Sequence, residues 1–276
     1  MKVALVQVPY HLGRENVGMG KGVAVLAEML ADEGVEPVRV ERSGEALNEI
    51  AASMSVIHAV ADRVRELVAR GAFPLVLAGN CNSSLGTVAG LDTSGDFGVV
   101  WFDAHADFNT PDTTEGAFFD GMALAMLTGS GWRALRQSVT GLRPVPEESV
   151  VLVGARDLDA GERARLEGSS VALADPSSLE RALAALSERV DHVYLHVDLD
   201  VLDPSVARAN PYAVEGGLSL GELEGAIQAV GQRFAIRAAA LTAYDPDCDP
   251  NAAIPPAARS IFKYIVEAAG RTEAAA

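Results

Sequence analysis

The sequence predicts an α/β protein, a three-layer α/β/α arrangement in which helices cover both faces of a mostly parallel sheet. Short apolar runs rich in β-branched residues recur along the chain and alternate with segments of helical spacing. This alternation favours parallel pairing through crossover connections, and strands that are apolar throughout indicate a sheet buried on both faces. We expect a single domain over residues 1–276, because one large α/β sheet accommodates a chain of this length.

Seven apolar runs are predicted as buried strands because each is short and β-branched. They cover residues 3–8, 37–40, 74–77, 98–102, 150–154, 193–197 and 236–242. Apolar residues at helical spacing predict helices between most of these strands. The helices cover residues 23–31, 56–69, 179–190, 220–230 and 257–269. Proline and glycine gather after the strand ends, which predicts long loops where parallel sheets bind their ligands.

The composition limits the kinds of ligand that this chain binds. A formal net charge of −16 opposes nucleic acid and anionic membranes, and no lysine- or arginine-rich block offsets it. A small cationic or zwitterionic substrate fits this charge better. Two cysteines are too few for a disulfide framework, and the first residues form a predicted strand without signal-peptide features. We therefore expect a cytoplasmic protein without a membrane span.

Acidic and histidine side chains follow two of the predicted strands. Asp103, His105 and Asp107 come after strand 98–102, and Asp198 and Asp200 come after strand 193–197. Alternation along an extended chain points the members of each group to one side. Neighbouring carboxylates raise each other's pKa, and a bound cation relieves that repulsion. Oxygen-rich ligands with imidazole suit Mn²⁺, so we predict a site for two Mn²⁺ ions.

These segments resemble the signature motifs of the arginase and agmatinase (ureohydrolase) superfamily. The resemblance covers residues 76–90, 103–111, 154–162, 196–204 and 216–219. It implies an arginase-like fold and an amidinohydrolase with two Mn²⁺ ions. In the family pattern, Asp103 and Asp198 bridge the two ions. Asp107 joins one ion, and His105 and Asp200 join the other.

Cys81 departs from the family pattern. Within residues 77–83 it stands where a metal-binding histidine is usual. A thiolate also binds divalent cations, so the resemblance implies Cys81 as a ligand that adds negative charge. The alternative is a free cysteine that packs as a small apolar residue, which is the commonest fate of an unpaired cysteine.

Three residues are predicted to be catalytic. The resemblance implies that Asp107 orients the nucleophile and helps to move its proton. Asp120 stands where arginases carry a histidine thought to shuttle protons. Strand alternation puts His196 on the same side as Asp198, where it would act as a base. A packed strand histidine is the alternative for His196.

The resemblance also implies residues that bind an amino-acid substrate. Asn109 and Thr114 match positions near the substrate carboxylate. Asp159 and Glu162 match positions that face its ammonium group. Ser219 belongs to the matching loop at residues 216–219. Asp159 and Glu162 would alternatively stabilise the N-terminus of a helix through its dipole.

Two departures bear on the choice of guanidino substrate. Asp120 replaces the shuttling histidine, and Ala243 stands where arginases carry a glutamate near the guanidinium group. Arginine stays protonated above about pH 12 and its leaving amine requires a proton, so both changes disfavour arginine. The combination of Cys81 with the missing histidine resembles the amidinohydrolases of D-cycloserine biosynthesis, which convert Nω-hydroxy-L-arginine into hydroxyurea and L-ornithine.

Other substrates and one other class of protein stay open. An arginase, or a hydrolase of agmatine or guanidino acids, would use the same metal site, although Asp159 and Glu162 favour an amino acid over agmatine. A descendant that binds a metal or metabolite without turnover would account for the changes at Cys81, Asp120 and Ala243. Ornithine formation distinguishes these hypotheses. The sequence leaves the oligomeric state open between a monomer and a homo-oligomer.

Overall fold

Strands and helices alternate along the chain, as the sequence predicts. The computed structural model describes residues 1–91, 93 and 96–273. The strands within this part are β1 Lys2–Val8, β2 Tyr10–His11, β3 Arg14–Glu15, β4 Glu36–Arg39, β5 Ala72–Ala78, β6 Phe97–Phe102, β7 Val150–Val153, β8 Ala172–Ala174, β9 His192–Asp198 and β10 Ala235–Thr242. The helices are α1 Gly20–Met29, α2 Glu49–Ala69, α3 Ser83–Gly90, α4 Ala123–Leu127, α5 Arg133–Ser138, α6 Ala160–Glu167, α7 Leu179–Ser187, α8 Leu220–Arg233 and α9 Ile254–Glu273.

Eight of these strands form one sheet in the order β4, β1, β5, β10, β9, β6, β7 and β8. Every pairing between neighbouring strands of this sheet is parallel. The predicted α/β class with a mostly parallel sheet is therefore confirmed. The two remaining strands, β2 and β3, pair with each other as an antiparallel hairpin. The order places β10, which comes last along the chain, at the centre of the sheet.

Both faces of the sheet are covered by helices, which explains why its central strands are mainly apolar. Every residue of β5 and β6 is buried, as expected for strands that have no solvent-facing side. Along β1, Leu5 packs into a core shared with α1, α7, α8 and α9. The next residue, Val6, points into a second core that contains α2, α3 and α4. The three-layer α/β/α arrangement follows from these two cores.

The helices α2 and α3 approach each other closely through two glycines. Gly86 and Gly90 are four residues apart and therefore share one face of α3. A Cβ atom on Gly86 would lie 2.4 Å from the carbonyl oxygen of Ile57, and one on Gly90 would lie 2.6 Å from Cβ of Val64. Only glycine allows this contact. It holds α3, and with it the loop that precedes the helix, against the rest of the second core.

The structure contains elements that the sequence pattern does not predict. These are the hairpin β2–β3, the edge strand β8 and the helices α3, α4, α5 and α6. The predicted elements are all present, and most of their ends lie within a few residues of those observed, but α2 begins at Glu49, well before the predicted start at residue 56. Among the described residues, no helix combines the length and the apolar character that a membrane crossing requires.

Candidate active site

The predicted site residues meet at the carboxyl edge of the sheet. Cys81 follows β5, Asp103 and His105 follow β6, and Asp198 ends β9. These strands lie close together, since only β10 separates β5 from β9. The four side chains line a cavity of about 250 Å³. A cavity outside the carboxyl ends of parallel strands is where sheets of this kind bind their ligands.

The side chains predicted to bind metal ions are close enough to share them. His105 Nδ1 lies 3.4 Å from Asp103 Oδ1 and 3.3 Å from Asp200 Oδ2. Cys81 Sγ lies 3.0 Å from Asp198 Oδ2. Carboxylate oxygen, imidazole nitrogen and thiolate sulfur are all ligands of first-row divalent ions. Residues that are far apart along the chain thus form one set of metal-binding groups.

Asp107 gives a direct test of whether a cation fits this set. Its side chain is buried in the cavity wall, and its Oδ2 has no hydrogen-bond partner among the described residues. Burial and the neighbouring Asp103 raise the pKa of Asp107 well above its usual range. A buried carboxylate oxygen without a donor is unfavourable, and a bound cation would satisfy it. The groups present therefore fit divalent metal ions.

Cys81 and Asp198 also favour a cation between them. Burial raises the pKa of the Cys81 thiol well above its usual range, and the charge of Asp198 adds to this effect. Burial likewise raises the pKa of Asp198, with a contribution from Asp200. A divalent cation has the opposite effect, because it stabilises the thiolate and the carboxylate.

Further donors hold the carboxylates in place. Trp101 Nε1 donates to Asp103 Oδ2 at 3.0 Å. The N–H of Ala104 donates to Asp200 Oδ1 at 3.2 Å, and Asn210 Nδ2 donates to Asp200 Oδ2 at 3.1 Å. Hydrogen bonds of this kind orient a ligand and tune its affinity for metal. Trp101 and Asn210 were not predicted to belong to the site.

Asp120 binds the loop that carries Cys81. Its carboxylate accepts hydrogen bonds from the N–H groups of Cys81 at 3.2 Å and Asn82 at 2.8 Å, and from Nδ2 of Asn80. Burial raises the pKa of Asp120 to about 6, although these hydrogen bonds favour its charged form. Asp120 lines the cavity and also fixes the backbone at Cys81. Its role in proton transfer stays a prediction.

His196 lies beneath the cavity and does not form part of its described lining. The ring is fully buried and stacks on Trp101, with 3.6 Å between ring centroids and 12° between planes. Burial lowers the pKa of His196 to about 3, so the ring is neutral near pH 7. A packed strand histidine, the alternative considered above, describes this position better than a base that contacts substrate.

Four of the five predicted substrate-binding residues line the cavity. They are Asn109, Thr114, Asp159 and Glu162. Asn109 Nδ2 donates to Asp159 Oδ2 at 3.0 Å, and Glu162 Oε1 accepts from the N–H of Phe108 at 2.8 Å. Burial raises the pKa of Glu162 to about 7. Two carboxyl groups thus line this part of the cavity wall, where an ammonium group would be attracted.

Ser219 lies outside the cavity, contrary to the prediction that it binds substrate. Its Oγ accepts a hydrogen bond from the N–H of Glu222, and the Glu222 carboxylate accepts from the N–H of Ser219 at 2.8 Å. This reciprocal pair is a capping box at the N-terminus of α8. The hydroxyl of Ser219 is used to begin a helix, and we exclude it from the substrate site.

Two aromatic side chains also line the cavity. Phe118 and Tyr212 both line it, with 5.6 Å between their ring centroids. Neither lysine nor arginine is found in the described lining, so the charge of the cavity is negative. Tyr212 comes from a loop without regular spacing, which is why the sequence pattern does not indicate it.

Comparison with known proteins identifies the family. The profile of the Arginase family matches residues 1–266. The chain belongs to the arginase family. The arginase of Bacillus caldovelox is 33% identical over 275 residues, which cover 90% of this chain and 92% of that protein. The arginase of Bacillus subtilis (strain 168) is 31% identical over 271 residues, which cover 90% and 91%.

The fold of this arginase-family chain agrees with that assignment. The native structure of Bacillus caldovelox arginase superposes on it with a TM-score of 0.86 and 29% sequence identity, over 96% of this chain and 97% of that one. The resemblance inferred from the motifs is therefore confirmed at the level of the family. The protein is an arginase-family hydrolase, and its site contains cysteine, histidine and aspartate side chains that are close enough together to hold a metal ion.

Proposed function

We propose that this arginase-family hydrolase cleaves the guanidino group of an amino acid with the help of two Mn²⁺ ions. The proposed ligands are Cys81, Asp103, His105, Asp107, Asp198 and Asp200. When bound, the two cations lower the pKa of a water molecule and supply hydroxide for attack on a trigonal carbon. The unpartnered Asp107 Oδ2 in the cavity wall is the observation that supports this proposal most directly.

The side chains that line the cavity have separate proposed roles in binding and in proton transfer. Asp107, which lines the cavity, orients the attacking water and helps to move its proton. Asp159 and Glu162 attract the ammonium group of the substrate, and Asn109 and Thr114 lie where its carboxylate binds.

The substrate that we propose is Nω-hydroxy-L-arginine, with hydroxyurea and L-ornithine as products. Ala243 lines the cavity and brings no charge to it. Asp120 is occupied by three donors from the Cys81 loop. A guanidinium that stays protonated needs a counter-charge and a proton donor for its leaving amine, whereas a hydroxyguanidine is less basic and needs less of both.

Arginine is the second candidate substrate. The curated relatives that are 33% and 31% identical over most of this chain are named arginases. The predicted carboxylate and ammonium contacts suit either amino acid, so these relatives are the specific reason to test arginine beside its N-hydroxylated form.

The test is a direct comparison of substrates. The Mn²⁺-loaded protein is incubated with Nω-hydroxy-L-arginine, L-arginine and agmatine, and ornithine, hydroxyurea, urea and putrescine are measured. We expect kcat/KM for the hydroxylated amino acid to exceed that for arginine by at least about tenfold, which corresponds to ~1.4 kcal/mol of transition-state stabilisation.

The variant Asp198→Asn tests the metal site, because it removes one of the proposed bridging charges with little change of shape. We expect this variant to lose activity and bound manganese, while Cys248→Ser, which lies outside the cavity lining, keeps both. A protein that binds two Mn²⁺ ions and forms no product from any of the three compounds would be a metal-binding homologue without turnover. Such a result would refute the proposed activity.

We also propose the cytoplasm as the compartment of the enzyme. Both cysteines are free in the structure, and the proposed role of Cys81 requires a reduced thiol. Reducing conditions of the cytoplasm preserve such a group.

A further inference from the structure

The sulfur of Cys81 is one end of a chain of buried hydrogen bonds. Thr242 Oγ1 lies 3.3 Å from Cys81 Sγ and 3.3 Å from His196 Nε2. The other ring nitrogen, His196 Nδ1, lies 3.0 Å from the hydroxyl of Tyr194. All four side chains are buried, with relative exposures of 4% or less. The chain crosses three strands, because Thr242 belongs to β10, His196 and Tyr194 belong to β9, and Cys81 follows β5.

The far end of the chain determines its direction. Within the described residues, the Tyr194 hydroxyl has one hydrogen-bond partner, His196 Nδ1. A buried hydroxyl proton requires an acceptor, so Tyr194 donates and Nδ1 accepts. Neither ring nitrogen contacts a carboxylate, and a neutral imidazole carries one proton. That proton is therefore on Nε2, which donates to Thr242 Oγ1.

The near end of the chain then provides a donor at the metal site. Because Thr242 Oγ1 accepts from His196, its own proton is free to point to another group. Three acceptors lie beside it, namely Cys81 Sγ at 3.3 Å, Asp198 Oδ2 at 3.4 Å and the carbonyl oxygen of Val197 at 3.5 Å. The two oxygen contacts are long for an O–H···O hydrogen bond, whereas 3.3 Å is an ordinary distance to the larger sulfur atom, so the geometry favours the sulfur as acceptor. Trp101 stacks on the His196 ring and donates to Asp103. The ring cannot rotate without disturbing a second proposed ligand.

We propose that Tyr194, His196 and Thr242 are positioning residues, which aim a hydroxyl donor at the Cys81 sulfur and thereby hold it ready to bind a cation. The inference deepens the proposed function and rests on Cys81 as a ligand. Donors to metal ligands typically change metal affinity by about 10–100-fold. A hydroxyl aimed at a thiolate also withdraws electron density from the sulfur, which restores part of the Lewis acidity that a thiolate ligand removes from its ion.

Direct ligation by His196 is the competing explanation. One nitrogen of its ring, one oxygen of Asp103 and the sulfur of Cys81 lie within 4.8 Å of one another. Both ring nitrogens already face hydroxyl groups, at 3.0 Å and 3.3 Å, so ligation would break one of these hydrogen bonds. The two explanations predict different results for substitution of Thr242. Its hydroxyl should affect metal binding if His196 acts through it, and should not if His196 binds the ion directly.

The experiment uses the full-length protein loaded with Co²⁺, because a thiolate bound to Co²⁺ gives a charge-transfer absorption in the near ultraviolet that reports on the sulfur itself. Thr242→Val removes the hydroxyl with almost no change of volume, and Thr242→Ser keeps it. We expect Thr242→Val to weaken binding of the sulfur-linked Co²⁺ by about tenfold and to shift the absorption. We expect Thr242→Ser to retain both properties, and Tyr194→Phe to show a smaller shift.

Three results would overturn the inference, and each has a distinct meaning. An unchanged affinity and absorption in Thr242→Val would show that the hydrogen-bond chain does not act on the sulfur, although Cys81 would still be a ligand. A loss of Co²⁺ in His196→Gln with an unchanged Thr242→Val would show that His196 ligates directly. A wild-type spectrum identical to that of Cys81→Ser would exclude sulfur ligation and refute that part of the proposed function as well. Thermal midpoints of the metal-free variants identify any that are misfolded.

Discussion

At the scale of single residues, the charge of Cys81 distinguishes this site. Asp103, Asp107, Asp198 and Asp200 lie around it, and as a thiolate it would bring one more negative charge than two divalent ions neutralise. Excess negative charge on the ligands reduces the acidity of a bound water and weakens the activation of the nucleophile. A less basic hydroxyguanidine tolerates this better than a guanidinium, because it requires less proton transfer to the leaving group.

Exchange of this single residue tests that argument. We expect Cys81→His to raise kcat/KM for arginine relative to Nω-hydroxy-L-arginine by about tenfold, because a neutral imidazole restores the charge balance of the two ions. The measurement is the ratio of kcat/KM values at saturating Mn²⁺, with Cys248→Ser as the control variant. If the ratio were unchanged in a variant that retains both ions, the sulfur of Cys81 would not determine which substrate the enzyme prefers.

The structure brings the predicted acidic residues and His105 together at one cavity, although the reasoning that placed Asp107 among them is partly wrong. The prediction assumed an extended backbone from Asp103 to Asp107. In the structure the strand ends at Phe102, and Asp107 has a φ of +49° in the left-handed region. Asn210 and Thr242 were missed because a lone amide or hydroxyl has no pattern, and its partners are known only after the strands are placed.

At the scale of secondary-structure elements, α3 connects the core to the metal site. The loop that carries Cys81 leads directly into α3, and Gly86 and Gly90 hold this helix against α2. All eight residues of α3 are buried. A helix that is buried on every side has no polar face, and its two glycines are poor helix formers, so periodicity does not reveal it. The edge strand β8 is missed because it has three residues.

Substitution of one glycine in this contact tests how strongly the helix positions the loop. We expect Gly86→Ala to destabilise the protein by about 1–3 kcal/mol, because the added Cβ would lie 2.4 Å from a backbone oxygen that has little freedom to move. We also expect weaker Mn²⁺ binding, because α3 must shift and Cys81 moves with it. Chemical denaturation and metal titration measure the two effects.

Gly225→Ala in α8 is the matched control for that substitution. No atom lies within 4 Å of the position that its Cβ would take, and alanine is the better helix former by roughly 1 kcal/mol. We expect this variant to be as stable as the native protein or more stable, with unchanged metal binding. If the two variants had the same stability and the same metal affinity, the close contact between α2 and α3 would not be needed to position the metal site.

At the scale of the whole molecule, the buried carboxyl groups make stability depend on pH and on metal together. Burial raises the pKa of Asp107 and Asp198 well above the usual range in the metal-free protein. The folded state therefore retains protons that the unfolded chain has already lost. The free energy of unfolding of the metal-free protein then falls as the pH rises above the ordinary carboxyl values near 4.

Metal ions reverse this dependence because they bind the ionised groups and displace the protons. We expect saturating Mn²⁺ to raise the thermal midpoint by about 5 °C or more at pH 8, and by much less at about pH 5.5. Thermal unfolding with Mn²⁺ and with a chelator at both pH values provides the measurement. A metal-induced rise that is equal at the two values would mean that these carboxyl groups are not the ligands.

The position of β10 has a consequence for biosynthesis. This strand is inserted between β5 and β9 and supplies Thr242, yet it is the last of the sheet to leave the ribosome. Until it emerges, two apolar strands in mid-sheet have unpaired edges, which are prone to join the wrong partner. A nascent chain short of residue 242 therefore cannot close the sheet, and competence for catalysis arrives only as synthesis nears completion.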